Sequence, residues 1–449
     1  MKQLFINIVT TILMFWAKTW INKHKPLVVW VTWSVGKTSC RTIIAHTLSK
    51  LLPQEIVYTS SKNFNSSIGL SLSVLGIEHY KPTIDGVISV LFESAYQALF
   101  GSHKPTIIVL EYGIDHPGDM DKLLMIVKPD ISIFTSLDYV HGEYFPDGIQ
   151  GILKEKIKLI NNTHDSVFLS TNFLAHYTQS ISTPARIIEF GEADSQWQIW
   201  FDSYQVIRST DSIYSSFIYC AWSNRLSITS SVIWTHNISY MCIGLTIADI
   251  LHQRKHYPTF WSQQILTLDV ALLPWRFTLF PWINWSIIID STYNASPSSM
   301  KTTIGEAVIL RDQFFKDRQI ILVLWEMREL GADSKKIHTE LAHWISEQQW
   351  LNYVIWVSGD SVAMTDYLIW LQRSGMVIRR VETNVQAIEA LLWFDHQNSI
   401  IVFKSSQWTI WLEEAIKPLI SSDQRSKLPR QESYWLTQKR LAKKIVETL

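Results

Sequence analysis

Short apolar runs alternate with amphipathic stretches along most of this chain. The runs LVVWV at 27–31, TIIVLEYG at 106–113 and DISIFTSL at 130–137 have the length and composition of buried strands. Between the first two, residues 37–52 form a helical pattern with one shared face, made by Ile43, Ile44, Thr47, Leu48 and Leu51. The alternation predicts βαβ units, in which helices cover a parallel sheet.

The pattern changes in the middle of the chain and then returns. Shorter alternating segments between about 165 and 235, such as ARIIEFGE and RLSITSSVI, predict an antiparallel portion of the same domain. From about 275 the strand-like runs SIIID, IILVLW, YVIWVSG and SIIVFKSS again alternate with helical stretches. We therefore expect two α/β domains with a boundary near LLPWR, at 272–276.

The first 25 residues are apolar but interrupted by Asn7, Thr10, Thr11 and Lys18. Their uninterrupted apolar runs fall well short of the ~20 residues that span a bilayer, and no small-residue cleavage site follows. Apolar residues recur at helical spacing. The segment is therefore expected to form a helix that packs on its own domain, with an interfacial membrane helix as the alternative.

Composition narrows the class of protein. Forty basic residues balance forty acidic ones, so no bulk field favours nucleic acid or an anionic membrane. Three scattered cysteines, Cys40, Cys220 and Cys242, are too few for a disulfide framework, and we expect a cytoplasmic protein. The 21 tryptophans outnumber the 16 glycines, whereas average glycine usage of about 7% predicts roughly 31 glycines.

The stretch VVWVTWSVGKTS at 28–39 carries the main candidate chemistry. A strand, a loop ending in Gly-Lys-Thr and a helix form the context in which backbone N–H groups cradle phosphates. Lys37 would contact the β- and γ-phosphates and Thr38 a magnesium ion, although Val31 occupies the first glycine position of the common spacing. The expected ATP-binding loop comprises Thr32, Trp33, Ser34, Val35, Gly36, Lys37, Thr38 and Ser39.

Further motifs follow in order and together resemble those of the Mur ligases, most closely the D-alanyl-D-alanine-adding type. They are TSSKNFNSSIGLSLSVL (59–75), LEYGIDHPGDMDKL (110–123), VHGEYFPDGIQGILKEK (140–156), IWTHNISYMCIGLTIA (233–248), IIIDSTYNASPSSM (287–300), VLWEMRELG (323–331) and KLPRQ (427–431). The resemblance covers residues 28 to about 431.

The resemblance implies an α/β fold with three segments. These are an N-terminal amphipathic helix at 1–27, a central P-loop ATPase domain with a parallel sheet at 28–274, and a C-terminal Rossmann-like, doubly wound domain at 275–449. It also implies an ATP- and Mg²⁺-dependent, ADP-forming amide ligase of peptidoglycan-precursor synthesis, which acts through an acyl phosphate. Its partners would be small molecules, a muramoyl peptide and D-Ala-D-Ala or a similar amine, and no nucleic acid.

Roles for individual residues come from the same resemblance. Besides the loop, the ATP-binding residues are His236, Asn237, Arg276, Asp290, Tyr293 and Asn294. The metal-binding residues are Thr38, Glu111, His141 and a carbamylated Lys156, and the catalytic residues are Lys37, Lys156 and His141. The substrate-binding residues are Asn65, Lys404 and Ser406. Lys154 is the alternative to Lys156, and Glu329 and His338 match the pattern without an assigned role.

Tryptophan stands at many of the family's glycine positions. Trp33, Trp234, Trp275, Trp325 and Trp408 are the clear cases, and Trp30, Trp282, Trp285 and Trp411 are further candidates. A left-handed backbone at a residue other than glycine costs roughly 1–2 kcal/mol. This pattern predicts a genetic code that reads UGA as glycine in the native host.

Two departures leave the substrate open. The phosphate loop is expected to begin at residue 32, and the 31 residues before it are predicted to be too few for the family's N-terminal uridine-nucleotide domain. Gln407 stands where arginine is usual. The alternatives are a Mur-like ligase on another acyl acceptor, such as a glutamyl substrate, or a nucleotide-binding pseudoenzyme if the tryptophans are real.

Overall fold

The chain folds into two compact units in a computed structural model. One unit comprises Met1–Leu137 and Tyr144–Leu272, and the other comprises Asp138–Glu143 and Leu273–Leu449. The structure describes all residues except 1, 33–35, 61–65, 80–82, 135–143, 171–172, 174–180, 192–197, 209–212, 271–276, 282–285, 349–350, 358–375, 394–397, 407–410, 434 and 441–449.

The first unit is built on one twisted sheet with helices on both faces. Its strands are β1 (Leu27–Thr32), β2 (Val57–Tyr58), β3 (Ile107–Tyr112), β4 (Ile131–Phe134), β5 (Ser166–Ser170), β6 (Arg186–Phe190), β7 (Ile199–Arg208), β8 (Ile213–Ala221), β9 (Asn224–Ser230) and β10 (Ile265–Leu268). Its helices are α1 (Lys2–His24), α2 (Lys37–Leu51), α3 (Ser67–Val74), α4 (Ile84–Phe100), α5 (Asp119–Leu124), α6 (Gly148–Asn161) and α7 (Thr235–Lys255).

The strand order is β10-β9-β8-β7-β6-β5-β4-β1-β3-β2. All pairs from β2 to β7 are parallel, whereas β7, β8 and β9 pair antiparallel. The expected antiparallel portion therefore begins later than predicted. The segment 186–190 is a further parallel strand, because β6 pairs in parallel register with β5.

The alternation of side chains along β1 supplies two cores, one on each face of the sheet. Val29 and Val31 belong to the core beneath α2 and α7. Val28 and Trp30 belong to the opposite core, beneath α1, α3 and α4. Strands covered on both faces are continuously apolar, which is why LVVWV has no polar position before Thr32.

Helix α1 is apolar on two faces. Val9, Leu13, Ala17 and Trp20 are buried in the first unit, so the helix packs on its own domain as predicted. The opposite face exposes large apolar side chains, Leu4, Ile8 and Phe15. Residues Leu4–His24 are the one described helix long and apolar enough to cross a membrane, with a mean hydropathy of 1.5.

The second unit is also an α/β sheet with helices. Its strands are β11 (Thr278–Pro281), β12 (Ile287–Ser291), β13 (Gln319–Trp325), β14 (Leu351–Val357), β15 (Val377–Val381) and β16 (Ser399–Lys404). Its α-helices are α8 (Pro297–Phe314), α9 (Ser334–Glu347), α10 (Asn384–Trp393) and α11 (Glu413–Ile416). Short 3₁₀ helices span Gly331–Asp333, Lys417–Leu419 and Ser422–Lys427.

The order in this sheet is β11-β12-β16-β13-β14-β15, and only β11 pairs antiparallel among its described strands. Sequence-distant strands β12 and β16 are thus neighbours, which is the arrangement of a doubly wound sheet. Helix α8 begins sharply, because Ser296 and Ser299 form a capping box and Pro297 fills the first turn. The α/β fold class is confirmed.

Two tryptophans adopt the left-handed backbone conformation. Trp222 has φ of 50° in the two-residue turn between β8 and β9, and Trp411 has φ of 53° just before α11. Turns of this length need positive φ and usually carry glycine or asparagine. Trp30 lies in a regular strand instead, fully buried, and its indole Nε1 has no hydrogen-bond partner among the described residues.

Candidate nucleotide and ligase site

The carboxyl end of β1 leads into the phosphate loop. Gly36 has φ of 80° and precedes the first residue of α2, Lys37. A Cβ at Gly36 would lie 2.8 Å from the hydroxyl of Tyr240, so this position requires glycine for both backbone and space. The positive end of α2 therefore faces the loop, which is the arrangement that binds phosphates.

Glu111 lies beside this loop on the neighbouring strand. In the parallel register of β1 and β3, Glu111 pairs with Val31. The Thr38 hydroxyl donates a 2.9 Å hydrogen bond to the carboxylate of Glu111, and an Arg41 guanidinium nitrogen lies 3.7 Å from the same oxygen. Burial, and then the charge of Glu111, raise the pKa of Cys40 well above its usual range.

This cluster supplies oxygen ligands of the kind that Mg²⁺ prefers. Glu111 is 6% exposed and Thr38 1% exposed, so their oxygens are already stripped of most water. The described residues contain no group of three His, Cys, Asp or Glu that could hold a metal by themselves. Thr38 and Glu111 thus fit a magnesium ion whose remaining ligands come from phosphates and water. Arg41 was missed from the sequence, although it lies one turn after Thr38 on α2.

Helix α7 brings the predicted His236 and Asn237 to the same end of the first unit. The helix packs against α2, and Gly244 allows this because a Cβ there would meet Thr47 at 3.0 Å. The rings of His236 and Tyr240 lie edge to face with centroids 5.9 Å apart. Asn237 is 1% exposed, and the Oδ1 atom of its side-chain amide has no hydrogen-bond partner among the described residues. An amide in this state is suited to bind a ligand donor.

The two candidate lysines of α6 differ in burial. Lys156 is 2% exposed, whereas Lys154 lies on the exposed face of the helix. The neighbouring Glu155 accepts a hydrogen bond from the Met120 backbone N–H and pairs with Lys158 at 2.6 Å. Burial disfavours the charged ammonium. Lys156 is thus the more buried of the two candidates, and its role stays a prediction.

In the second unit, Asp290 lies at the carboxyl end of β12. One carboxylate oxygen accepts hydrogen bonds from the Thr292 N–H at 3.0 Å and hydroxyl at 2.7 Å. The other oxygen is buried without a partner among the described residues. Burial raises the pKa of Asp290 to about 6, and the nearby Glu413 carboxylate acts in the same direction. This second carboxylate oxygen of Asp290 can therefore accept a hydrogen bond from a ligand donor.

Lys404 holds the loop that follows Asp290. Its ammonium is buried and donates to the Ser291 hydroxyl at 3.2 Å and to the Asn294 carbonyl at 2.5 Å. Tyr293 is half-buried, and Asn294 is exposed beside it. All the contacts of Lys404 described here are internal, so substrate binding by Lys404 stays a prediction. Ser406 is buried close to it in sequence.

A buried ion pair supports the same loop from the other side. Arg430 donates to both carboxylate oxygens of Glu413 at 2.9 Å and to the Thr292 carbonyl at 2.8 Å. Lys439 lies 2.9 Å from Glu413 as well. The sequence motif ending at Gln431 contains Arg430, but its role depends on Glu413, which no motif indicated.

The structure assigns His338 a structural task. Its Nε2 accepts from the Met327 backbone N–H at 3.0 Å, and its Nδ1 donates to the Ser334 carbonyl at 2.8 Å. Both nitrogens are used, so the ring is neutral with its proton on Nδ1. His338 therefore fastens the loop after β13, in which Glu329 has φ of 63°.

Six predicted site residues lie outside the described residues: Trp33, Ser34, Val35, Asn65, His141 and Arg276. Among the others, Thr32, Gly36, Lys37, Thr38, Ser39, Glu111, His236 and Asn237 belong to the end of the first unit that carries the phosphate loop. Asp290, Tyr293, Asn294, Lys404 and Ser406 belong to the second unit. The residue roles predicted from the resemblance stay predictions.

These features define a class: an α/β nucleotide-binding unit with a phosphate loop, followed in sequence by a doubly wound α/β unit. Residues 31–248 match the Mur ligase middle domain. The chain therefore carries a region similar to that domain, and it resembles the D-alanyl-D-alanine-adding Mur ligases.

Two curated relatives are named as D-alanyl-D-alanine-adding ligases. The chain is 26% identical over 333 residues to the UDP-N-acetylmuramoyl-tripeptide–D-alanyl-D-alanine ligase of Rickettsia prowazekii. This alignment covers 72% of the present chain and 64% of the relative. It is 31% identical over 317 residues to the enzyme of the same name from Borreliella burgdorferi, covering 69% and 58%. The match thus spans less than two thirds of either relative.

Solved structures share the fold. A MurF ligase from Thermotoga maritima in complex with ADP matches with a TM-score of 0.67 at 20% identity, over 91% of this chain and 82% of that one. The chain of an FPGS–AMPPCP–folate complex matches with a TM-score of 0.57 at 16% identity, over 90% and 93%.

We expect Asp290→Asn to stabilise the unliganded protein at pH 7.5 by about 1–3 kcal/mol, since a shift of two pKa units is worth that order of free energy. The folded state binds the Asp290 proton more tightly than the unfolded state. The carboxyl therefore lowers stability as pH rises from about 4 through about 6. Urea unfolding at pH 4.5, 6 and 7.5 should show the gain disappearing towards pH 4.5.

The exposed Asp317→Asn serves as the matched control, and it should leave stability unchanged. If Asp290→Asn destabilises the protein equally at all three pH values, the pKa of Asp290 is not raised in the folded protein.

Proposed function

We propose that this chain is an ATP-dependent, ADP-forming acid–amino-acid ligase of peptidoglycan-precursor synthesis. It adds D-Ala-D-Ala, or a similar amine, to a muramoyl-peptide carboxylate. The observation that carries the proposal is the buried Thr38–Glu111 hydrogen bond behind a phosphate loop in a Mur ligase middle domain. The names of the curated relatives support the choice of substrates.

The reaction proceeds in two transfers. A substrate carboxylate oxygen attacks the γ-phosphorus of ATP, ADP leaves, and an acyl phosphate forms. The amine then attacks the acyl carbon, an amide bond forms, and phosphate departs with loss of one amine proton. Catalysis consists mainly of positioning and charge stabilisation.

The residues divide this work between the two units. Lys37 contacts the β- and γ-phosphates, and Arg276 contacts the terminal phosphate. Thr38 and Glu111 hold a magnesium ion, which supplies positive charge to the phosphate oxygens when bound. The remaining roles in nucleotide binding fall to His236 and Asn237 beside the adenine and to Asp290, Tyr293 and Asn294 at the ribose.

The substrate carboxylate is the open part of the proposal. A second candidate is a Mur-like ligase on another acyl acceptor, such as a glutamyl substrate. The solved chain of an FPGS–AMPPCP–folate complex shares the fold, and the fold by itself does not select the acceptor. Asn65, Lys404 and Ser406 are the proposed substrate contacts in either case.

The acyl-phosphate route predicts the products. With glycine at positions 33, 275 and 325, the protein should hydrolyse or exchange ATP only with a suitable acyl substrate, releasing ADP and phosphate. Chromatography of the nucleotides is the measurement. Formation of AMP and pyrophosphate would contradict the route, and Lys37→Met is the control that should lose turnover without losing the fold.

We also propose that tryptophan at the family's glycine positions is glycine in the native host. The positive φ of Trp411 supports this, because a left-handed backbone suits glycine. Mass spectrometry of peptides from the native host should find glycine at 33, 275 and 325. Tryptophan in those peptides would favour the pseudoenzyme instead.

Lys156 is proposed to act as a carbamate. Reaction of its neutral amine with carbon dioxide forms an N–C bond and, after proton loss, an anion that can join His141 at a second magnesium ion. Its burial supports this step. Lys156→Ala should abolish ligation with the fold intact, and added acetate should restore part of it.

Lys154→Ala, on the exposed face of the same helix, is the matched control and should remain active. Full activity of Lys156→Ala, together with no bicarbonate dependence in the parent protein, would exclude the carbamate.

We place the reaction in the cytoplasm, with small molecules as partners. Peripheral contact of α1 with a membrane is a separate proposal, supported by its exposed Leu4, Ile8 and Phe15. Failure of the protein to float with phosphatidylcholine vesicles would count against that contact.

A further inference from the structure

A groove of about 1060 Å³ lies at the edge of the first sheet that is opposite the phosphate loop. Its walls include Leu27 and Val28 at the start of β1, Thr106 just before β3 and Asp130 just before β4. The phosphate loop follows the other end of β1. Six strand residues at about 3.3 Å each therefore separate the groove from the nucleotide site by roughly 20 Å.

The groove concentrates positive charge in a chain that is neutral as a whole. Five lysines line it against two aspartates, a formal excess of three positive charges. Four of the lysines, Lys18, Lys25, Lys104 and Lys128, have no ion-pair partner in the described part of the chain. The whole chain has forty basic and forty acidic residues, so this excess is local.

The two aspartates do not neutralise these lysines. Asp121 is already paired with Lys158 at 2.6 Å. Asp130 accepts a 2.8 Å hydrogen bond from the Val28 N–H, and burial raises its pKa. The fifth lysine, Lys255, is paired with Glu55 outside the groove.

Four uncompensated ammonium groups around one concave space repel each other and attract an anion. Lysine binds phosphate as a point charge with three donors, and it does not require the planar geometry of a carboxylate–arginine pair. The groove volume of about 1060 Å³ lies slightly above the range of about 300–1,000 Å³ for small-ligand sites. The four lysines come from three segments of the chain, so the fold brings them together and local sequence does not.

We propose that this groove binds a phosphate-bearing anion, at a site separate from the nucleotide site. Two sources share this chemistry: the headgroup of an anionic lipid, and a free polyphosphate. Lys18 lies in the second half of α1 and Lys25 directly follows the helix. The outer face of α1 is apolar, so a headgroup source would place that face against the bilayer. The proposal does not depend on the ligase reaction.

The test uses the full chain in four forms, all carrying Lys37→Met so that the phosphate loop does not contribute. The groove variant replaces Lys18, Lys25, Lys104 and Lys128 with Gln. The matched control replaces four exposed lysines elsewhere, Lys50, Lys316, Lys335 and Lys427, with Gln, for the same change in charge. The fourth form carries both sets. Thermal unfolding confirms that each form is folded.

Each form is titrated with sodium tripolyphosphate by calorimetry. Each is also floated with vesicles of phosphatidylcholine alone or with 30% phosphatidylglycerol. We expect the parent form and the control to bind at least one probe, and the groove variant to bind it at least tenfold more weakly. Binding to the anionic vesicles alone identifies the headgroup, and binding to tripolyphosphate alone identifies a free polyphosphate.

Two results would overturn the proposal. One is that the parent form binds neither probe at 150 mM salt. The other is that the groove variant and the control lose affinity equally, which would show that net charge and not the groove is responsible.

Discussion

A buried carboxylate next to a phosphate loop is the constraint on which the rest of the first unit depends. Glu111 is almost without water, so its charge must be balanced by partners at fixed positions. Thr38 and Arg41 provide that balance from the first turns of α2, and the register of β1 and β3 brings the carboxylate to them. The start of α2, the end of β1 and the end of β3 are therefore fixed relative to each other.

In the second unit, a larger set of charged side chains surrounds a buried carboxylate, that of Asp290. Asp290 is buried at the end of β12, and the backbone carbonyls of the loop that follows it need donors. Lys404 and Arg430 supply them, and Glu413 in turn compensates Arg430. Removing one partner would leave a buried charge uncompensated, which costs more than the pair contributes. The loop geometry is thus a property of the network and not of the motif alone.

Sequence reasoning found what depends on local pattern. The continuous apolar runs located β1, β3 and β4, and the Gly-Lys-Thr motif located the start of α2. It placed the antiparallel portion too early, because β6 alternates like a half-exposed strand yet pairs in parallel with β5. Arg41, Glu413 and the task of His338 were not found. Each depends on a contact between segments that are distant in sequence or on a helix face that no motif marks.

Because β1 contributes side chains to two cores, its register in the sheet is constrained on both faces. Val29 and Val31 point one way and Val28 and Trp30 the other, so a shift by one residue would exchange both sets at once. Only a shift by two residues would keep each side chain on its own face of the sheet. An insertion or deletion of one residue inside the strand would therefore exchange the two faces over the remainder of its length.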